Sequence, residues 1–134
     1  MKLMGEGCCI EIDILGYEYA QATLSEDRNW LSCKVVFEYA DCTFCFNCLL
    51  QTYDLIEWMH VLKDESRIAV LRFPEVECSI SMIKENGIIK QVEFLYNQKL
   101  RGGGISQKTS FAAQMLVKDV CVELEEMLLV YPVV

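Results

Sequence analysis

Three cysteines, Cys42, Cys45 and Cys48, follow one another at C-x-x-C-x-x-C spacing, which in a loop lets several thiolates converge on an iron–sulfur cluster. The same stretch alternates, however, with Cys42, Phe44, Phe46, Cys48 and Leu50 in one phase. On a strand, residues three apart point to opposite faces, so Cys45 is expected to turn away from Cys42 and Cys48. No fourth cysteine follows three residues on, as the bacterial cluster run would have. Two readings stand: thiols packed as small hydrophobes, or a metal- or thiol-dependent protein built on Cys42, Cys45 and Cys48. Cys8 and Cys9 are adjacent and point oppositely in a strand, while Cys33, Cys78 and Cys121 fall at apolar positions or helix flanks.

A cysteine nucleophile needs a nearby base, and the one histidine is His60. At the helical spacing of Tyr53, Ile56 and His60 it is expected at the edge of a packed face. Acidic residues cluster at Asp64 and Glu65, at Glu75 and Glu77, and at Glu123, Glu125 and Glu126. Such groups can do acid/base work or hold hard cations, yet none lies in a glycine-bearing loop of calcium-binding spacing. They read as solvated faces, with Glu75, Glu77, Glu123, Glu125 and Glu126 the candidate partner contacts and Glu77 expected to be partly buried. The glycines at 102–104 lack the Lys-Ser/Thr of a phosphate loop and the G-x-G-x-x-G spacing, so they read as a hinge or hairpin loop. No residue set nominates a reaction, a metal or a cofactor, and the chain reads as a non-enzyme.

These residues must be positioned by a sheet. Ile10, Ile12 and Ile14 alternate with Glu11 and Asp13, a half-buried strand. Gly16 is expected to turn into a second strand over residues 17–24, with Ser25–Asn29 a loop. Leu31, Cys33, Val35, Phe37 and Tyr39 share one face and pair with the run from Cys42 to Leu50 as an antiparallel hairpin. From Thr52 the period changes: Leu55, Trp58, Met59 and Leu62 recur at helical spacing, predicting a helix over about 52–63 capped by Thr52 or Asp54. Strands follow at Ile68–Phe73 and from Cys78, and Asn86-Gly87 supplies the two positive φ values of a type I′ turn. Val92, Phe94 and Tyr96 point inward on the returning strand. A stripe of Ala113, Leu116, Val117, Val120, Leu124 and Leu128 predicts a last helix over about 110–130. The expected fold is α+β, a largely antiparallel sheet built from hairpins with both helices on one face. Gln51–Leu55 and Gln107–Phe111, each expected to open a helix, suggest two related halves.

At 134 residues the chain fits a single domain, 1–134, with a sizeable core. No apolar stretch approaches the roughly 18 residues of a membrane span, and Gly5 and Glu6 interrupt the start before any export signal develops. Eight cysteines without such a signal imply reduced thiols and a cytoplasmic protein. The net charge of −8 repels phosphate backbones and anionic membranes, disfavouring direct nucleic-acid binding and suiting a basic partner. The apolar excess leaves room for a homo-oligomer.

Trp30-Leu31 at the start of the hairpin, Leu49 or Leu50 at its close, Asp54-Leu55 and Trp58 in the helix, Phe73 with Glu77, and Gly87-Ile88 span about residues 30–96. In these features the chain resembles the WapI-type bacterial immunity proteins, which neutralise toxins delivered between neighbouring cells. At Gln107-Lys108-Thr109-Ser110-Phe111 lysine stands where that family's pattern has an acid. The resemblance implies an immunity-type inhibitor that binds a cognate protein toxin without catalysis.

Overall fold

A computed structural model describes the backbone of residues 1–100 and 103–134, and the side chains of residues 1–97 and 107–134. Among the described residues eight strands form one antiparallel sheet: β1 (Lys2–Gly5), β2 (Cys8–Tyr17), β3 (Trp30–Tyr39), β4 (Cys42–Gln51), β5 (Ile68–Arg72), β6 (Glu77–Glu85), β7 (Ile88–Leu100) and β8 (Gly103–Leu116). Three helices accompany them: α1 (Ser25–Arg28), α2 (Thr52–Lys63) and α3 (Val117–Val130). The fold is α+β, and the sheet curls into a half-barrel.

The strand order is β4-β3-β2-β1-β8-β7-β6-β5. It contains the same unit twice, a four-strand meander followed at once by a helix: β1 to β4 with α2, then β5 to β8 with α3. The two units join where β1 meets β8 at Gly5↔Ala113. Gly5 makes that approach possible. A Cβ there would stand 2.3 Å from both the Ala112 carbonyl oxygen and a Phe111 ring carbon, closer than any side chain tolerates.

The curl brings opposite strands face to face. Phe37 on β3 stacks on Phe94 of β7 with ring centroids 4.8 Å apart, and Phe46 on β4 lies 4.4 Å from the Tyr96 ring. The core beneath is continuous, from Leu3, Ile10 and Ile12 through Leu31, Val35 and Leu50 to Ile80, Met82 and Val92. α2 seals one side of it: Leu55, Trp58 and Leu62 are buried, and the Trp58 indole N–H donates to the Arg72 carbonyl at 3.2 Å. α3 buries Val120, Cys121 and Leu124 and packs on β8 and α2.

The β3–β4 hairpin, α2, and the β6–β7 hairpin stand where the residue pattern puts them. Asn86 and Gly87 both hold positive φ, 52° and 74°, as the type I′ turn requires. Val92, Phe94 and Tyr96 do face inward. Other expectations are corrected. β2 runs on through Gly16 with a register shift between Ile14 and Gly16, so no turn there starts a strand over 17–24. Residues 25–28 form a short helix instead of a loop. The cap of α2 is Gln51, whose N–H donates to the Asp54 carboxylate at 2.7 Å, so Asp54 acts from the third helical position. The last helix begins at Val117, not near 110, because residues 103–116 pair with β7. Of the glycine run, Gly103 and Gly104 pair as strand residues with Leu100 and Lys99, while Arg101 and Gly102 lie outside the described residues.

Candidate partner-binding surface

The alternation of β4 settles the cysteine triplet. Cys48 points into the core, Cys45 points to the opposite face and is exposed, and Cys42 is exposed at the start of the strand. Among the described residues no three His, Cys, Asp or Glu side chains converge as a metal site. The inward thiol meets a different partner: Cys48 faces Cys33 directly across the hairpin, with the sulfur atoms 3.0 Å apart and the Cys33 thiol also directed at the Cys48 carbonyl, 3.3 Å away. The thiol–thiol hydrogen bond, with burial added, holds the Cys33 thiol far above its ordinary pKa, and the same bond pulls Cys48 down. Burial likewise pushes Cys78 well up. A buried thiol that keeps its proton is a poor nucleophile. His60 lies exposed on α2 instead of at the edge of its packed face.

The five acidic candidates fall in two places. Glu75 and Glu77 sit at the connection from β5 to β6, where Glu77 accepts a hydrogen bond from the Asn97 amide at 3.4 Å and lines a cleft with Arg72, Phe73 and Ser79. Glu77 is exposed, not partly buried as its apolar neighbours suggest, because it is the first residue of β6 and its phase faces away from the core. Glu123 and Glu126 lie on α3 and line an open cleft together with Asp13, Met127 and Tyr131. The Glu123 carboxylate also accepts the Lys2 backbone N–H at 3.3 Å. Glu125 turns the other way along the helix and pairs with Lys63 of α2 at 3.3 Å, both side chains about half exposed. An exposed pair of this kind contributes little to stability, and it offsets part of the charge that Glu125 would otherwise display.

Asp13 is the acid that motif spacing misses. It belongs to the outward phase of β2 with Glu11, and only the packing of α3 beside that strand brings it to Glu123 and Glu126. Glu38 on β3 lies directly opposite Cys9 on the same outer face, where Lys34 stands opposite Asp13 and Lys2 pairs with Glu11 at 3.9 Å, so the acids there are interleaved with two lysines.

The structure also holds one buried charge that the residue pattern does not flag. Lys84 continues the inward phase of Cys78, Ile80 and Met82 on β6, yet is only 7% exposed. Its ammonium donates to the carbonyls of Val61, Leu62 and Asp64 at 2.9, 3.0 and 2.6 Å. These carbonyls end α2, where a helix lacks internal donors and carries negative dipole charge. Lys84 is therefore a positioning device for α2, not a free cation.

Among the described residues no helix is long and apolar enough to cross a membrane. The sequence profile of the Immunity protein WapI-like family matches residues 2–132, nearly the whole chain and well beyond the 30–96 span of the recognisable features. No curated protein and no solved structure matches it.

Proposed function

The chain belongs to the WapI-like immunity protein family, and we propose that it is a non-catalytic inhibitor that binds a cognate protein toxin inside the producing cell and blocks it by occlusion. The observation that carries this reading is the family match over residues 2–132. The charge supports it: 20 acidic against 12 basic residues leave a net −8, and in this reading the outer band of Asp13, Glu123 and Glu126, with Glu75 and Glu77 at the far hairpin, meets a basic toxin. Opposite charge speeds the encounter and makes it salt-sensitive. Eight free cysteines suit the reducing cytoplasm in which such a protein would act.

Co-expression with the toxin encoded immediately upstream tests the proposal. Protection from killing is expected, along with a complex whose association slows at higher salt. Persistent killing despite abundant soluble protein would refute it. The rival reading, a single centre built on Cys42, Cys45 and Cys48, finds no support in the geometry, which sends Cys45 and Cys48 to opposite faces of one strand.

A further inference from the structure

β4 ends the sheet, and among the described residues no strand pairs with its outer edge. The phase of its hydrogen bonds is fixed at both ends. The two-residue turn Ala40-Asp41 makes Tyr39 and Cys42 the closing pair, which exchanges both backbone bonds. Alternation from there reaches Asn29 and Thr52 in the same bonded phase, and the Thr52 N–H does donate to the Asn29 carbonyl at 3.0 Å. Thr43, Cys45, Asn47, Leu49 and Gln51 therefore aim their N–H and C=O groups away from β3. The Gln51 N–H is taken by Asp54. α2 packs beside β5 and the end of β4, and among the described residues no other element packs on the half of the edge from Cys42 to Asn47. Within it Cys42, Thr43, Cys45 and Asn47 are exposed.

Free edges are normally blunted by charge, proline, a bulge or shortness. β5, the other end of the sheet, is only five residues long, carries Arg72, and has α2 against it. β4 has none of these protections. Its ten residues contain no charge and no proline, and its register with β3 is unbroken from Trp30↔Gln51 to Tyr39↔Cys42. The internal repeat shows what such an edge accepts. β8 is the counterpart of β4 in the second unit, and it takes β1 as an antiparallel neighbour. Among the described residues the equivalent position beside β4 has no strand in it.

We propose that the Cys42–Asn47 edge takes an extended segment of the toxin as a ninth strand, by backbone pairing. This rests on the immunity reading above. Charge favours a basic partner over a second copy: Glu38 opposite Thr43 and Asp41 in the adjoining turn outnumber Lys34, which stands opposite Asn47, and a copy of net charge −8 is repelled where a basic chain is attracted. The uncharged strand itself supplies backbone affinity without dictating side chains.

The test uses the full chain and the upstream-encoded toxin. Backbone amide exchange at Thr43, Cys45 and Asn47 is expected to be fast in the free protein and to slow at least about tenfold in the complex, since a paired amide exchanges only on opening. Cys45→Ser, which keeps the N–H, should bind as the parent does. Cys45→Pro removes an outward N–H while sparing every bond to β3, and should weaken binding about tenfold or more. Where Cys45→Pro fails to fold, the exchange measurement on the unaltered chain decides. A complex that forms with these amides unchanged overturns the inference and leaves the immunity reading intact. No complex and no protection from killing overturns both. Slow exchange in the free protein together with a dimeric mass assigns the edge to a second copy and also overturns it.

Discussion

Replacing Lys84 by methionine isolates the one buried cation in the described structure. Methionine retains the aliphatic stem's packing but removes the ammonium, so the carbonyls of Val61, Leu62 and Asp64 lose a donor together. Hydrogen bonds to a charged group are each worth about 1.5–3 kcal/mol net, so three would give about 4.5–9 kcal/mol if they added. One ammonium shared among three carbonyls gives less than three independent bonds, and water can satisfy carbonyls at the end of the helix once the ammonium is gone. The expected loss is about 2–4 kcal/mol, a large share of the roughly 5–15 kcal/mol that holds a domain together. For a chain of this size each kcal/mol moves the midpoint by about 3–4 °C, so Lys84→Met should melt about 6–16 °C lower. Urea unfolding followed by tryptophan fluorescence measures it directly, because Trp58 is buried on α2 itself. A loss below about 0.5 kcal/mol, the range of an ordinary surface substitution, would refute the claim that Lys84 anchors the end of α2.

Gly5→Ala should destabilise by about 2 kcal/mol or more, since its Cβ has no room against Ala112 and Phe111; amide exchange of Glu6, whose N–H donates to the Ala112 carbonyl at 3.3 Å, should rise with it. Ala40 holds a φ of 52° in the β3–β4 turn, a strained region for a residue with a Cβ, so Ala40→Gly should be neutral or stabilising by up to about 1 kcal/mol, and a clear loss in denaturant midpoint would contradict it. Cys78 is held above its ordinary thiol pKa by burial. The folded protein thus keeps a proton that the unfolded chain releases above about pH 8.5, so the contribution is complete below that pH and is lost as pH rises past it. By pH 10 this costs about 2 kcal/mol, and Cys78→Ala should flatten the alkaline fall in stability by that amount; an unchanged slope would show the thiol to be solvated.

The parts of the fold that local periodicity determines were legible in the residues. β3 and β4 alternate cleanly because one face meets the core and the other meets water, and α2 announces itself through Leu55, Trp58 and Leu62. The stretch from Thr109 to Leu116 misleads for a definite reason. Ala, Gln, Met and Leu all favour helices, and the true strand pattern, Phe111 and Ala113 inward with Ala112 and Gln114 outward, is written in residues too small or too flexible to mark a face. Pairing with β7 over its whole length overrides that propensity. The same misreading displaced the signs of duplication. A repeat does exist, but the residues that open its two helices are Gln51-Thr52 and Leu116-Val117, which share no likeness, and Gln107–Phe111 lies within a strand. The repeat shows only in strand order, a property of long-range pairing.

The candidate surfaces divide along the same line. Glu123 and Glu126 could be named from charge clustering, but their company with Asp13 comes from the placement of α3 beside β2, and Glu77 lines a different cleft at the β5–β6 connection. The cysteine triplet was resolved by strand parity alone, which needs no tertiary information. That parity carries a second consequence. The arrangement that sends Cys45 away from Cys48 also aims its backbone N–H at the open side of the sheet, since side-chain phase and hydrogen-bond phase are locked together along an antiparallel strand. The residues that first suggested a metal centre thus mark, through their backbone, the one long uncharged edge in the described structure.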